Sequence, residues 1–157
     1  MNQIIQKYYM CPIQFDLTMD DFEIKLVESW VEKDIVDLYK SAGWWKDSYD
    51  SSGISHLISG SFAFAVVVSK KNSKAIGMGR IISDGVSDAY IQDLVILKEH
   101  RGKGIGKKLV EFLLDFCKSK NLLWIGLISE PGQEEFYEKS GFFKMKNYVP
   151  MKYEKGE

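Results

Sequence analysis

Leu94-Val95-Ile96-Leu97-Lys98-Glu99-His100-Arg101-Gly102-Lys103-Gly104-Ile105-Gly106-Lys107-Lys108-Leu109 is the stretch on which the reading of this chain turns. It opens as a buried apolar strand and closes as the start of an amphipathic helix. Between them lies a basic turn with glycine at 102, 104 and 106. Glycine leaves the backbone unshielded by side chains, so its amides can close around an anion. The helix that follows adds the positive end of its dipole and the unpaired N–H groups of its first turn. Arg101, Lys103, Lys107 and Lys108 add positive charge. The pattern predicts a phosphate-binding turn over residues 101–107.

Spacing separates the familiar phosphate loops. A Walker A loop needs G-x-x-x-x-G-K-[ST], and five positions on from Gly102 stands Lys107. A dinucleotide fingerprint needs a third glycine where Lys107 again stands. The pattern met is R-x-x-G-x-G, by Arg101, Gly104 and Gly106. A second block, Phe136-Tyr137-Glu138-Lys139-Ser140-Gly141-Phe142, follows it in the chain. With these two blocks the sequence resembles the GNAT superfamily of N-acetyltransferases, whose pyrophosphate loop reads [QR]-x-x-G-x-[GA] and whose fold ends near an F-Y-E-K-x-G-F segment.

The resemblance implies an α/β fold with a mixed, mostly antiparallel sheet of about six to seven strands flanked by about four helices. The rest of the chain agrees in element order. Phe22 to Val27 alternates apolar and charged residues, the mark of a half-buried strand. Ile35, Leu38 and Tyr39 mark a short helix ending near Gly43, and Ile54, Leu57 and Ile58 a second, stopped by Gly60. Strands follow over 62–68, 75–82 and 89–97. Ile105, Leu109, Phe112, Leu113 and Phe116 form one helical stripe. Leu122 to Ile128 reads as a strand covered on both faces. A helix over 134–139 is capped by Gly141, and 142–145 and 149–153 read as the last strands. Residues 1–21 form an N-terminal extension ahead of a single domain over 22–157. That extension, apolar and tyrosine-bearing, and the family itself suggest a homodimer.

Composition narrows the function. The 157 residues are 45% apolar and 27% charged with a net charge of −1, ordinary for one globular domain. That charge argues against nucleic acid as partner. Cys11 and Cys117 fit no metal spacing, and Cys117 falls on an apolar helix face, where it packs. No apolar run approaches the ~20 residues of a membrane-crossing helix. With no leader pattern, the expected location is cytoplasmic.

The resemblance then assigns roles. Arg101, Gly102, Lys103, Gly104, Ile105, Gly106 and Lys107 would hold the pyrophosphate of acetyl-CoA. The pantetheine arm would hydrogen-bond the main chain at Leu94 and Ile96. Tyr137 would donate its proton to the departing thiolate: a phenol of pKa ~10 suits a thiol of pKa ~8.5. Relatives carry their general base on the central strand, at the positions of Tyr90 and Gln92; neither is a carboxylate here. Asp93 is the first candidate base, provided a β-bulge turns it to that face; Glu130 or Asp84 acting through water, or no dedicated base at all, are the alternatives. Glu130 and Gln133 also replace an asparagine and an alanine frequent in relatives. Trp44 and Trp45, in a polar loop, cannot both enter a small core; with Tyr90 and Gln92 they would contact the acceptor or form a lid. His56 reads as a hydrogen-bonded structural histidine. The reading is acetyl transfer to a primary amine of a small molecule by direct attack in a ternary complex. A peptide acceptor, or a catalytically silent CoA-binding module, is the alternative.

Overall fold

The computed structural model describes residues 16–19 and 21–154. Most of the N-terminal extension, and the expectations placed on it, lie outside them. Strands β1 (Asp16–Thr18), β2 (Phe22–Leu26), β3 (Ala63–Ser69), β4 (Ala75–Ser83), β5 (Asp88–Ile96) and β6 (Trp124–Gly126) form one sheet in the order of the chain. Helices are α1 (Glu32–Ser41), α2 (Ile54–Ser59), α3 (Ile105–Ser119) and α4 (Glu134–Glu138). The first five strands pair antiparallel. β6 lies parallel to β5 because α3 carries the chain back across the sheet. This is the mixed, mostly antiparallel α/β arrangement expected.

Two apolar layers sandwich the sheet. On one face the α3 stripe of Ile105, Leu109, Phe112, Leu113 and Phe116 packs on Ile76, Ile81, Ala89, Ile91 and Ile96. Ile35, Leu38 and Tyr39 of α1 and Ile54 and Ile58 of α2 cover Phe64, Val66, Val68, Met78 and Val95 on the other. β3, Ala-Phe-Ala-Val-Val-Val-Ser, is buried at every position. It is the strand covered on both faces, as its unbroken apolar run demands.

The C-terminal part departs from the sequence reading. The apolar run over 122–128 yields only the three-residue β6, at the sheet's edge, with Leu123 87% and Ile128 66% exposed. An apolar run cannot by itself tell a central strand from an edge one. The strands expected over 142–145 and 149–153 do not form. A turn places Asn147 in the left-handed region (φ 67°), but its arms make no ladder, and Phe143, Tyr148, Val149, Met151 and Tyr153 stand exposed.

Candidate active site

β5 is where the sheet is irregular. Met78 pairs with Val95 and Arg80 with Gln92, so one residue of β4 faces two of β5, Asp93 and Leu94. That is a β-bulge, and Asp93 within it takes the left-handed backbone (φ 53°). The extra residue flips the alternation. Ala89 and Ile91 face α3 before the bulge and Leu94 and Ile96 after it, while Val95 faces α1 and α2. Asp93 is thereby turned onto the α1 face beside Gln92.

There it is held. Arg80 Nε donates to Asp93 Oδ2 at 2.5 Å and Arg80 Nη2 to Gln92 Oε1 at 2.9 Å. The Tyr39 hydroxyl donates to the same Oδ2 at 2.7 Å. Burial, and then the Asp93 carboxylate, push the Tyr39 phenol well above its ordinary range. Both tryptophans pack around Tyr39, each ring centroid 6.3 Å from it, and Trp45 also meets Tyr49 at 5.7 Å. Both indoles are half-buried against the α1–α2 layer, where Tyr39 at the end of α1 gives each an aromatic partner. Tyr90, half-buried on the same face as Gln92, has its phenol raised by burial.

β5 pairs with β6 only over Asp88–Tyr90, so among the described residues its later half has a free edge on that side. Leu97 N–H donates to Ile76 O of β4. By strand alternation the amide and carbonyl of Ile96, and of Leu94 two residues before, turn away from β4 toward that free edge. Ile96 O accepts from Arg101 Nε at 2.7 Å, which ties the basic turn to the strand preceding it.

In the turn, Gly102 (φ 75°) and Gly104 (φ 77°) are left-handed, and a Cβ on either would meet nothing. Glycine is therefore required there by conformation and not by space. No side chain caps α3. Lys108 N–H is the first to find an acceptor, Gly104 O. Among the described residues the main-chain N–H groups of 102–107 bond no protein acceptor. They form a set of donors at the positive end of a fifteen-residue helix. Gly106 serves another purpose: a Cβ there would lie 3.3 Å from Phe136 Cζ, so its absence lets α4 dock on the first turn of α3.

That docking places Phe136, the neighbour of Tyr137, against the first turn of α3. α4 ends in a Schellman motif, with Phe142 N–H on Tyr137 O, Gly141 N–H on Glu138 O, and Gly141 at φ 92°. Tyr137 is clasped edge-on by Phe136 (4.9 Å) and Phe142 (6.0 Å). Burial, and secondarily the Glu130 carboxylate, raise its phenol above the usual value. Its hydroxyl donates to nothing in the described chain.

Two sequence candidates fall away. Asp84 Oδ1 accepts from Val86 and Ser87 N–H in the β4–β5 turn, which lowers its carboxyl and makes it a poor base. His56 is exposed, and among the described residues its ring has no hydrogen-bond partner, in contrast to the bonded structural histidine expected. Arg80 and Tyr39 were missed. The signal was present in Arg80, the lone charge in the otherwise apolar β4 segment Ala-Ile-Gly-Met-Gly-Arg-Ile-Ile-Ser.

The bulged central strand thus runs into the glycine turn and the N-terminus of α3. The family model for the acetyltransferase (GNAT) family matches residues 21–142. This chain belongs to that family and, by its relatives, is an N-acetyltransferase. The uncharacterized N-acetyltransferase ycf52 of Pyropia yezoensis is 31% identical over 151 residues, covering 92% of this chain and 86% of that protein. Glucosamine 6-phosphate N-acetyltransferase of Arabidopsis thaliana is 44% identical, but over 52 residues, 33% of this chain and 35% of that one. Its crystal structure superposes with a TM-score of 0.68 at 20% identity, over 86% of this chain and all (100%) of that one. A GNAT-family acetyltransferase from Streptococcus pneumoniae superposes with 0.69 at 22%, over 87% and 99%. At such identities the superpositions establish the fold alone.

Proposed function

We propose that this protein transfers an acetyl group from acetyl-CoA to the primary amine of a small molecule by direct attack in a ternary complex. The observation carrying the proposal is the row of unbonded N–H groups over 102–107 at the head of α3, which suits a diphosphate. Arg101, Lys103 and Lys107 add charge around it. Leu94 and Ile96 offer the free edge of β5 to the pantetheine amides as an added strand would. The acetyl donor supplies an activated thioester carbonyl and a thiol leaving group.

The chain's own groups do the rest. Asp93 Oδ1 has no partner in the described chain, while Arg80 and Tyr39 hold Oδ2. Oδ1 can therefore orient the acceptor's ammonium and pass its proton to water. Gln92 and Tyr90 line the same face. Trp44 and Trp45 brace Tyr39 and wall the acceptor side, which favours a compact acceptor over an extended peptide. The Tyr137 hydroxyl gives its proton to the departing sulfur as the amine nitrogen bonds to the carbonyl carbon and the C–S bond breaks; the nitrogen then releases its second proton to water, from which the Tyr137 phenolate is reprotonated. We place the reaction in the cytoplasm; among the described residues no helix is long and apolar enough to cross a membrane.

The test is calorimetric titration with acetyl-CoA, then thiol release over a panel of small amines and lysine peptides. Binding with turnover of small amines supports the proposal. Binding without turnover across the panel replaces it with a silent CoA-binding module, and no binding ends it.

A further inference from the structure

Arg80 is a charge in an otherwise apolar strand, and its surroundings say what it is for. Its neighbours across β3 and β5 are Phe64 and Gln92. Met78, two residues before it on the same face, is fully buried under the α1–α2 layer. Ile82, two residues beyond, is 43% exposed. Arg80 therefore sits where the covering layer ends and the sheet opens to solvent.

A guanidinium is planar and presents two forks of paired N–H groups. The fork made by Nε and one N–H of Nη2 is taken, by Asp93 Oδ2 and Gln92 Oε1. The fork made by Nη1 and the second N–H of Nη2 bonds nothing among the described residues. Gln92 commits its oxygen to Arg80 and leaves its own amide N–H groups unbonded, and Asp93 Oδ1 is unbonded as well. Among the described residues the one buried side-chain polar atom lacking a partner is Ser140 Oγ. The unbonded atoms of Arg80, Gln92 and Asp93 therefore all reach solvent, and with it any molecule that enters.

Charge narrows what that molecule is. The charges of Arg80 and Asp93 cancel, on side chains only 18% and 22% exposed. An acceptor entering as a plain ammonium ion leaves one positive charge uncompensated in that half-buried group. One that carries an anionic oxygen group as well leaves none. A carboxylate or a phosphate accepts both bonds of a free guanidinium fork at once.

We propose that the acceptor amine also carries a carboxylate or phosphate, and that Arg80 selects it through its free fork. The inference rests on the transferase reading above and narrows its substrate to amino acids and phosphorylated amines. Asp93 Oδ1 takes the ammonium, the Arg80 fork takes the anionic end, and Gln92 adds a donor to that end.

Initial rates with matched acceptors test this, expressed per unprotonated amine: β-alanine against its amide, and phosphoethanolamine against ethanolamine. The first pair reads a carboxylate and the second a phosphate. The anionic member of at least one pair should have a kcat/KM about 10- to 100-fold higher, the range of a charge-assisted bond. In Arg80→Lys, which keeps a cation beside Asp93 and loses the second fork, that ratio should collapse toward one. A residue that only propped Asp93 would slow both members alike and leave the ratio where it was. Acetyl-CoA affinity by calorimetry reports whether the variant keeps its fold. A second measurement needs no variant: propionate should inhibit the parent protein competitively against ethanolamine and not against acetyl-CoA. Turnover with equal rates in both pairs overturns the inference and leaves the transferase reading standing, as does a ratio unchanged in Arg80→Lys. No turnover of any amine by the acetyl-CoA-bound protein overturns both.

Discussion

Arg80 Nε and Asp93 Oδ2 meet at 2.5 Å across the β4–β5 bulge, with both side chains largely out of solvent. The guanidinium bridges Asp93 and Gln92, and the Tyr39 hydroxyl closes the group from α1. Asp93→Ala would leave two half-buried donors without their acceptor, costing about 1–3 kcal/mol. Asp93→Asn keeps the shape and loses the charge. It should raise the acceptor KM ~10-fold or more, as expected for losing a charge-assisted bond, while acetyl-CoA affinity stays unchanged. Steady-state kinetics and calorimetry on the two variants check both statements; an unaltered acceptor KM in Asp93→Asn would remove Asp93 from the acceptor site.

Tyr137 offers a pH test. Its phenol is raised by burial and then by Glu130, so it stays protonated beyond the ordinary phenol range near ~10. Tyr137→Phe should lower kcat about 100-fold, the low end for general acid catalysis, with acetyl-CoA affinity intact. Removing the nearby negative charge in Glu130→Gln makes the phenolate easier to form. The basic limb of the kcat profile should therefore move to lower pH. A limb that stays put in both variants would assign it to another group.

The glycine turn separates conformation from space. Gly104 sits at φ 77° with open space where a Cβ would be, so a valine there is strained, not crowded. Strain of roughly 1–2 kcal/mol should push the turn out of register and, with the side chain lying over the amides, abolish acetyl-CoA binding by titration. Gly106→Leu acts differently: its Cβ would press on Phe136 at 3.3 Å and displace α4. It should lower kcat through Tyr137 as well as weaken binding.

What the sequence made legible was what local periodicity encodes. The α3 stripe spaces its apolar residues at the helical repeat, so its buried face could be read directly, and the glycine turn is contiguous. The face to which Asp93 points could not be read, because one extra residue in the β4–β5 register decides it and reverses every side chain beyond. The role of Tyr39 depends on Asp93, 54 positions away, and the packing of both tryptophans depends in turn on Tyr39. The segment 142–153 has a strand's pattern, but a strand exists only with a partner, and the pattern does not say which.

Cys117 gives the protein an alkaline limit. It is fully buried in the α3 layer, and burial pushes its thiol from 9.0 to about 11. The folded state therefore holds the neutral thiol across a pH range in which the unfolded chain loses its proton. Unfolding is favoured by that ionisation, so this contribution to stability is complete below pH 9 and is lost progressively as pH rises toward about 11. Tyr39, raised the same way from 10.0, extends the loss further up the scale. Cys117→Ala should lower the Tm at neutral pH, through a small cavity worth about 1 kcal/mol. It should also flatten the fall of Tm between pH 9 and about 11, relative to the parent protein. Thermal melts across that range decide the point: parallel curves for the two proteins would show that this thiol is not the group being titrated.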